Sequence, residues 1–162
     1  MTDFGGLIRR LVEHHVEFIL IGGVAATIHG SARFTQDVDI VYGRTAENLR
    51  RLVAALADSS PYLRGAPPGL PFRWDSETLE RGLNFTLTCT LGQIDLLGEI
   101  TGGGGYTELL PASVTARAWD VEFRVLDLPA LIRVKRAAGR PKDLESIAEL
   151  EALYAERKRP RH

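Results

Sequence analysis

Glu17-Phe-Ile-Leu-Ile-Gly-Gly23 is an apolar, β-rich run that stops on two glycines, and Asp37-Val-Asp-Ile-Val-Tyr42 is a second such run opened by two aspartates. Between them, residues 24–29 read as a short helix stopped by Gly30, and 31–36 as a polar connection. Strand, glycine turn, helix, strand is therefore the local plan. Side chains alternate along a strand, so Asp37 and Asp39 share one face while Val38 and Ile40 point to the core.

Upstream, Phe4, Leu7, Ile8, Leu11 and Val12 recur at helical spacing, which predicts an amphipathic helix over 4–15 capped by Thr2 or Asp3. Downstream, Thr45 caps a helix to about Asp58, with Leu49, Leu52, Val53 and Leu56 on its buried face. Pro61, Pro67, Pro68 and Pro71, with Gly65 and Gly69, mark 59–72 as an irregular loop. Leu83, Phe85, Leu87 and Cys89 alternate with polar residues, which predicts a half-buried strand over 83–90. A turn at Leu91-Gly92 leads into a second strand over 93–97, forming a hairpin. The glycines at 102–105 read as a flexible connection or lid, 106–110 as one helical turn and 121–126 as a last strand. Asp127 caps a helix ending at Gly139, and Pro141 opens a final helix to about Ala155. The order α-β-α-β-α-β-β-β-α-α predicts an α+β fold, a mixed β-sheet packed by helices. Its expected organisation is a core over 1–126, a C-terminal helical pair over 127–156 and a basic, frayed tail over 157–162.

Composition excludes several classes. At 162 residues, the chain fits one domain with a core that needs no disulfide staples. Its one cysteine, Cys89, rules out an internal disulfide framework or a Cys-based zinc site. The net charge of −1 excludes a globally basic nucleic-acid binder, so any such contact needs a local patch. No basic segment followed by an apolar run opens the chain, and its apolar runs are too short to cross a bilayer. The expectation is a cytoplasmic protein without membrane contact.

The aspartates carry the chemistry. Two carboxylates on one strand face repel, and each raises the other's pKa unless a cation intervenes. Mg²⁺ suits them, because it takes hard oxygen ligands and combines one or two carboxylates with phosphate oxygens. A site with two ions about 3.5–4 Å apart calls for a third carboxylate. Asp95 in Ile94-Asp95-Leu96 supplies it if its strand pairs beside 37–42. Gly22 and Gly23 let the backbone approach a phosphate closely, and they equally suit a tight strand-to-helix turn. Taken alone, Asp-Val-Asp is also what a solvated strand face looks like.

The combination of Ile21-Gly22-Gly23, Asp37-Val38-Asp39-Ile40 and Ile94-Asp95-Leu96 resembles the nucleotidyltransferase superfamily of polymerase-β-like fold. The stretch from Gly22 to Ile40 is similar to the small members: minimal nucleotidyltransferase antitoxins, abortive-infection toxin-like proteins and antibiotic nucleotidyltransferases. The resemblance covers roughly residues 16–150. It implies transfer of an NMP from an NTP, such as ATP, to an acceptor hydroxyl, with pyrophosphate released and Mg²⁺, two ions, as cofactor. Asp37 and Asp39 match the metal ligands, and Asp95 the third carboxylate that helps deprotonate the acceptor. The acceptor would be RNA, a partner protein or a small molecule. A toxin–antitoxin or phage-defence setting, with a cognate toxin or antitoxin as partner, follows from the same resemblance. The competing reading is a non-catalytic antitoxin-type module that neutralises a partner protein by contact.

Other residues fit around this core. Arg33 is a candidate for holding the triphosphate or a surface loop arginine. Ser31 and Thr35 offer hydroxyls to a nucleotide or satisfy the loop backbone. Lys135 falls on the apolar face of its helix, where a lysine snorkels or reaches an anion, and the resemblance favours a phosphate contact. Asp143 complements a helix dipole or orients Lys135 or Arg140. His29 is read as a packing or capping residue rather than a general base, and Phe72 and Trp74 as burying a loop rather than stacking a base.

Overall fold

The apolar run predicted around the glycine turn forms strand β1 (Phe18–Ile21), buried at all four positions. A computed structural model describes residues 1–160. Helix α1 (Phe4–Glu13) precedes β1, and Asp3 caps it by accepting a hydrogen bond from the Gly6 amide at 2.9 Å. Helix α2 (Gly22–Ile28) follows β1 directly, so the two glycines are its first residues rather than a turn before it. Strand β2 (Asp37–Tyr42) and helix α3 (Ala46–Leu56), capped by Thr45, match expectation. Val38 and Ile40 are fully buried, while Asp37 and Asp39 lie on the more open face.

The segment over 59–72 holds more order than a loop. Tyr62–Leu63 forms a two-residue strand, β3, and helix α4 (Ser76–Arg81), capped by Asp75, follows it. Phe72 and Trp74 pack on the core, and the Trp74 indole donates to the Val53 carbonyl at 2.9 Å. Strands β4 (Asn84–Cys89) and β5 (Gly92–Leu97) make the expected hairpin, though Leu83 lies outside it and is exposed. The glycine-rich stretch is not a free connection: β6 (Glu99–Ile100) and β7 (Gly104–Gly105) pair as a small second sheet. Helix α5 (Tyr106–Leu109) leads to β8 (Ser113–Ala118), an unforeseen partner for β9 (Val121–Leu126). Helices α6 (Leu128–Ala138) and α7 (Pro141–Lys158) form the C-terminal pair.

The main sheet has seven strands in the order β3-β4-β5-β2-β1-β9-β8. It is mixed: β2 runs parallel to β5 and β1 parallel to β9, and the other pairs are antiparallel. This is the expected α+β architecture. The last helix runs past the predicted end of order. Arg157 donates to the His29 carbonyl at 2.9 Å and approaches His29 Nδ1 at 3.0 Å. Arg161 and His162 of the predicted basic tail lie outside the described residues.

Asn48 of α3 closes one end of the β1–β2 pair and was not singled out from sequence. It is buried, donates to the Gly43 and Glu17 carbonyls at 2.8 and 3.0 Å, and accepts from the Glu17 amide at 2.7 Å. Asn48→Ala strips the Glu17 amide and the Gly43 carbonyl of their side-chain partner, while the Glu17 carbonyl keeps its bond from the Gly43 amide. It should lower stability by about 2–4 kcal/mol, since each orphaned buried polar group costs about 1–3 kcal/mol. Urea unfolding measures this, and a loss below about 1 kcal/mol would mean that water replaces the amide.

Candidate metal and anion site

Parallel pairing of β2 with β5 sets Asp39 directly opposite Asp95 and Asp37 opposite Gln93. Three carboxylates thereby converge, with one oxygen from each of Asp37, Asp39 and Asp95 lying within 4.8 Å of the others. The hydrophobic alternation of β2 and β5 produces this directly, because Val38, Ile40, Ile94 and Leu96 take the buried face. Burial, then the charges of Asp95 and Asp37, push the Asp39 carboxyl up to about 8, with Arg64 pulling the other way. A group of this kind is protonated near neutral pH unless a cation joins it.

Gly22 is part of the same construction. Its φ is +70°, and a Cβ there would run into Oδ2 of Asp39. A Cβ on Gly23 would run into the Thr35 hydroxyl. The glycines therefore admit the protein's own Asp39 and Thr35 against the start of α2.

A cleft of about 350 Å³ opens over the aspartates. Its lining brings together Gly22, Gly23, Ser31, Arg33, Asp37, Asp39 and Lys135, along with Arg140, Lys142 and Asp143. Asp95 belongs to the triad but does not line this cleft. Burial lowers the pKa of Lys135, with Asp143 and Asp39 opposing that shift and Arg140 and Arg33 adding to it. Asp143 is buried and bonds Arg140 Nε at 2.8 Å, so it orients Arg140. Arg33 pairs with Glu145 at 3.0 Å on the surface side of the cleft. The Ser31 hydroxyl donates to Glu149 at 2.5 Å and accepts from the Arg33 amide at 3.2 Å, which gives it a loop-holding role. His29 is buried, with Nε2 2.8 Å from the Leu126 carbonyl, and burial lowers its pKa, as befits a packing residue.

One site residue escaped the sequence reading. Arg64 follows β3 and reaches over the triad, 2.9 Å from Asp95 and 3.6 Å from Asp37. It sits in the proline- and glycine-rich segment, where a two-residue strand is too short to show periodicity. The one available signal was the apolar pair Tyr62-Leu63 just before a cation. A larger cavity, about 810 Å³, adjoins the cleft and shares Ser31, Arg33, Phe34 and Thr35 with it. Phe34 stands exposed at its edge, and Thr88 and Gln93 line it near Asp95.

The chain matches no protein-family model and no curated protein. None of the described helices is long and apolar enough to cross a membrane. The residues themselves fit a divalent ion: three hard oxygen donors converge, and Asp95 Oδ1 is buried without a hydrogen-bond partner among the described residues. Although Oδ1 is only 2.9 Å from Arg64, the angle makes no hydrogen bond, and the same Arg64 nitrogen donates to the Leu87 carbonyl at 2.7 Å. The contact is a charge pair with bonding capacity left over. The triad could hold a metal ion.

Proposed function

We propose that this chain is a Mg²⁺-dependent nucleotidyltransferase that moves an NMP from an NTP to an acceptor hydroxyl and releases pyrophosphate. The observation that carries the reading is the register of β2 with β5, which gathers three carboxylates beside a cleft lined by Arg33, Lys135, Arg140 and Lys142. Anionic and cationic groups so juxtaposed suit a metal-bound polyphosphate, whereas a solvated strand face has no use for the cations. Asp37, Asp39 and Asp95 would hold Mg²⁺, which when bound supplies charge neutralisation at phosphoryl oxygens. Lys135 and Arg140 would bind the triphosphate, with Asp143 fixing Arg140 in place. Asp95 would take the proton of the acceptor hydroxyl. The adjoining cavity, whose lining includes Gln93 two residues before Asp95 but none of the three aspartates, would give an acceptor room. That acceptor would be an RNA, a partner protein or a small molecule, and a toxin–antitoxin or phage-defence role follows from the resemblance of the motifs alone.

The experiment is to incubate the protein with each α-labelled NTP, Mg²⁺ and total RNA or cell lysate. Label should appear in one acceptor fraction and vanish with EDTA. Absence of label from every fraction with every NTP would sink the reading. Neutralisation of a co-purified partner that survives loss of all three aspartates would favour the contact-only module.

A further inference from the structure

We propose that Arg64 is a resident counter-ion of the triad, so that the site takes one divalent ion at rest and a second only when Arg64 is displaced. The inference rests on the triad being a metal site, and it concerns how that site is loaded.

Three observations support it. The first is placement. The Arg64 amide donates to the Thr86 carbonyl at 3.0 Å, and Thr86 stands opposite Asp95 in the β4–β5 register. The backbone thus delivers the guanidinium to the triad, where it spans Asp95 and Asp37. The second is charge. Once an ion has displaced the Asp39 proton, three ionised carboxylates carry −3 and Arg64 carries +1, leaving −2, which one divalent ion cancels. With Arg64 removed, −3 remains and one divalent ion leaves a carboxylate uncompensated. The third is incomplete bonding. Arg64 Nε is buried with no hydrogen-bond partner among the described residues, as is Asp95 Oδ1. A guanidinium has five N–H groups and fits a carboxylate through two parallel bonds. Here it makes hydrogen bonds to one backbone carbonyl and holds the carboxylates by charge alone.

That arrangement can give way. Strand β3 is two residues long at the edge of the sheet, held by the pairs Tyr62↔Thr88 and Leu63↔Leu87. The chain leaves Arg64 through Gly65, whose φ is +79°, and Gly65 has open space around it. Arg64 therefore sits on a short edge element and can leave the triad without opening the core. A polyphosphate arriving with its own cation would compete with Arg64 for Asp95 and Asp37. Such competition would link the second ion to the substrate.

The test is to titrate the full chain with Mn²⁺ near pH 8, following free Mn²⁺ by electron paramagnetic resonance, for wild type, Arg64→Gln and Arg64→Lys. Wild type should bind one ion tightly. Arg64→Gln should bind a second at least about tenfold more tightly than wild type does, because a positive charge within contact distance is gone. Arg64→Lys keeps the charge and should retain the wild-type stoichiometry. Two ions of comparable affinity in wild type would overturn the proposal without any variant, which protects the test if Arg64→Gln fails to fold. Identical titrations of wild type and folded Arg64→Gln would also overturn it, leaving the metal site intact. No ion bound by wild type would remove the metal site itself and this inference with it.

Discussion

Asp39→Asn is expected to abolish divalent-ion binding and nucleotidyl transfer while making the metal-free protein more stable at alkaline pH. Burial is the largest cost of charging Asp39, and the neighbouring charges of Asp95 and Asp37 add to it. Its carboxyl is raised from 3.8 to about 8. A carboxyl raised on folding favours the folded state while it is protonated. That contribution is complete below the unfolded value and is lost as pH climbs through the folded one. In metal-free wild type the melting temperature should therefore fall between about pH 4 and about pH 8 and level off above that, and in Asp39→Asn this part of the fall should disappear. Mg²⁺ should restore the wild type but not the variant. Since the ion must displace a proton, apparent affinity in the wild type should rise by up to about tenfold per pH unit below 8. Transfer should drop by at least about 10²–10³-fold, the scale on which one preorganised electrostatic group acts. Scanning calorimetry at the two pH values, with and without Mg²⁺, reads the effect. A variant less stable than wild type at both pH values would show Asp39 to be a structural acceptor instead.

Gly22→Ala should cost both stability and metal affinity. A left-handed φ of +70° strains any residue with a Cβ by about 1–2 kcal/mol. The added carbon also meets the Asp39 carboxylate, which cannot move aside without leaving Asp95 and Asp37. Overpacking of this kind adds about 1–3 kcal/mol. Metal affinity should fall by about 10- to 100-fold, as when a group that orients a ligand is lost. Gly69→Ala is the control, since its φ is +91° and it has nothing within 4 Å of the added carbon. It should pay only the strain and leave metal affinity unchanged. Equal affinity loss in both variants would mean that Gly22 has no special relation to Asp39.

What could be read in advance divides along physical lines. Strands β2, β5 and β9 carry strong apolar patterns because the core demands them, and the pairing of β2 with β5 puts Asp39 opposite Asp95, as the third-carboxylate reading required. Asp3, Thr45 and Asp127 announce their helices because a cap is a local, single-residue interaction. Strand β8 was invisible: as an edge strand with a largely exposed Ser-Val-Thr-Ala-Arg-Ala sequence, it needs no apolar alternation. Helix α4 buries only Leu79 and leaves too few apolar positions for a period to appear. Arg64 reaches the Leu87 carbonyl and Asn48 the Glu17 carbonyl across long stretches of chain, which no spacing in the sequence records. Gly22 was readable as a position needing glycine, but the neighbour that requires it, Asp39, became visible only in three dimensions.

The sheet order also sets a sequence of events during synthesis. Strand β2 has no β5 to pair with until the chain has grown to Leu97, whereas β1 gains its second neighbour only after β9 is made, and α6 and α7 come later still. All three carboxylates therefore leave the ribosome before Lys135, Arg140 and Lys142, and also before the residues of β9, α6 and α7 that complete the core. The acidic side of the site is thus encoded upstream of most of its basic side. Since a domain folds as a unit, a chain stalled after β5 would carry the three aspartates without the core that brings them together, and the gathering of the triad would wait for the last helices.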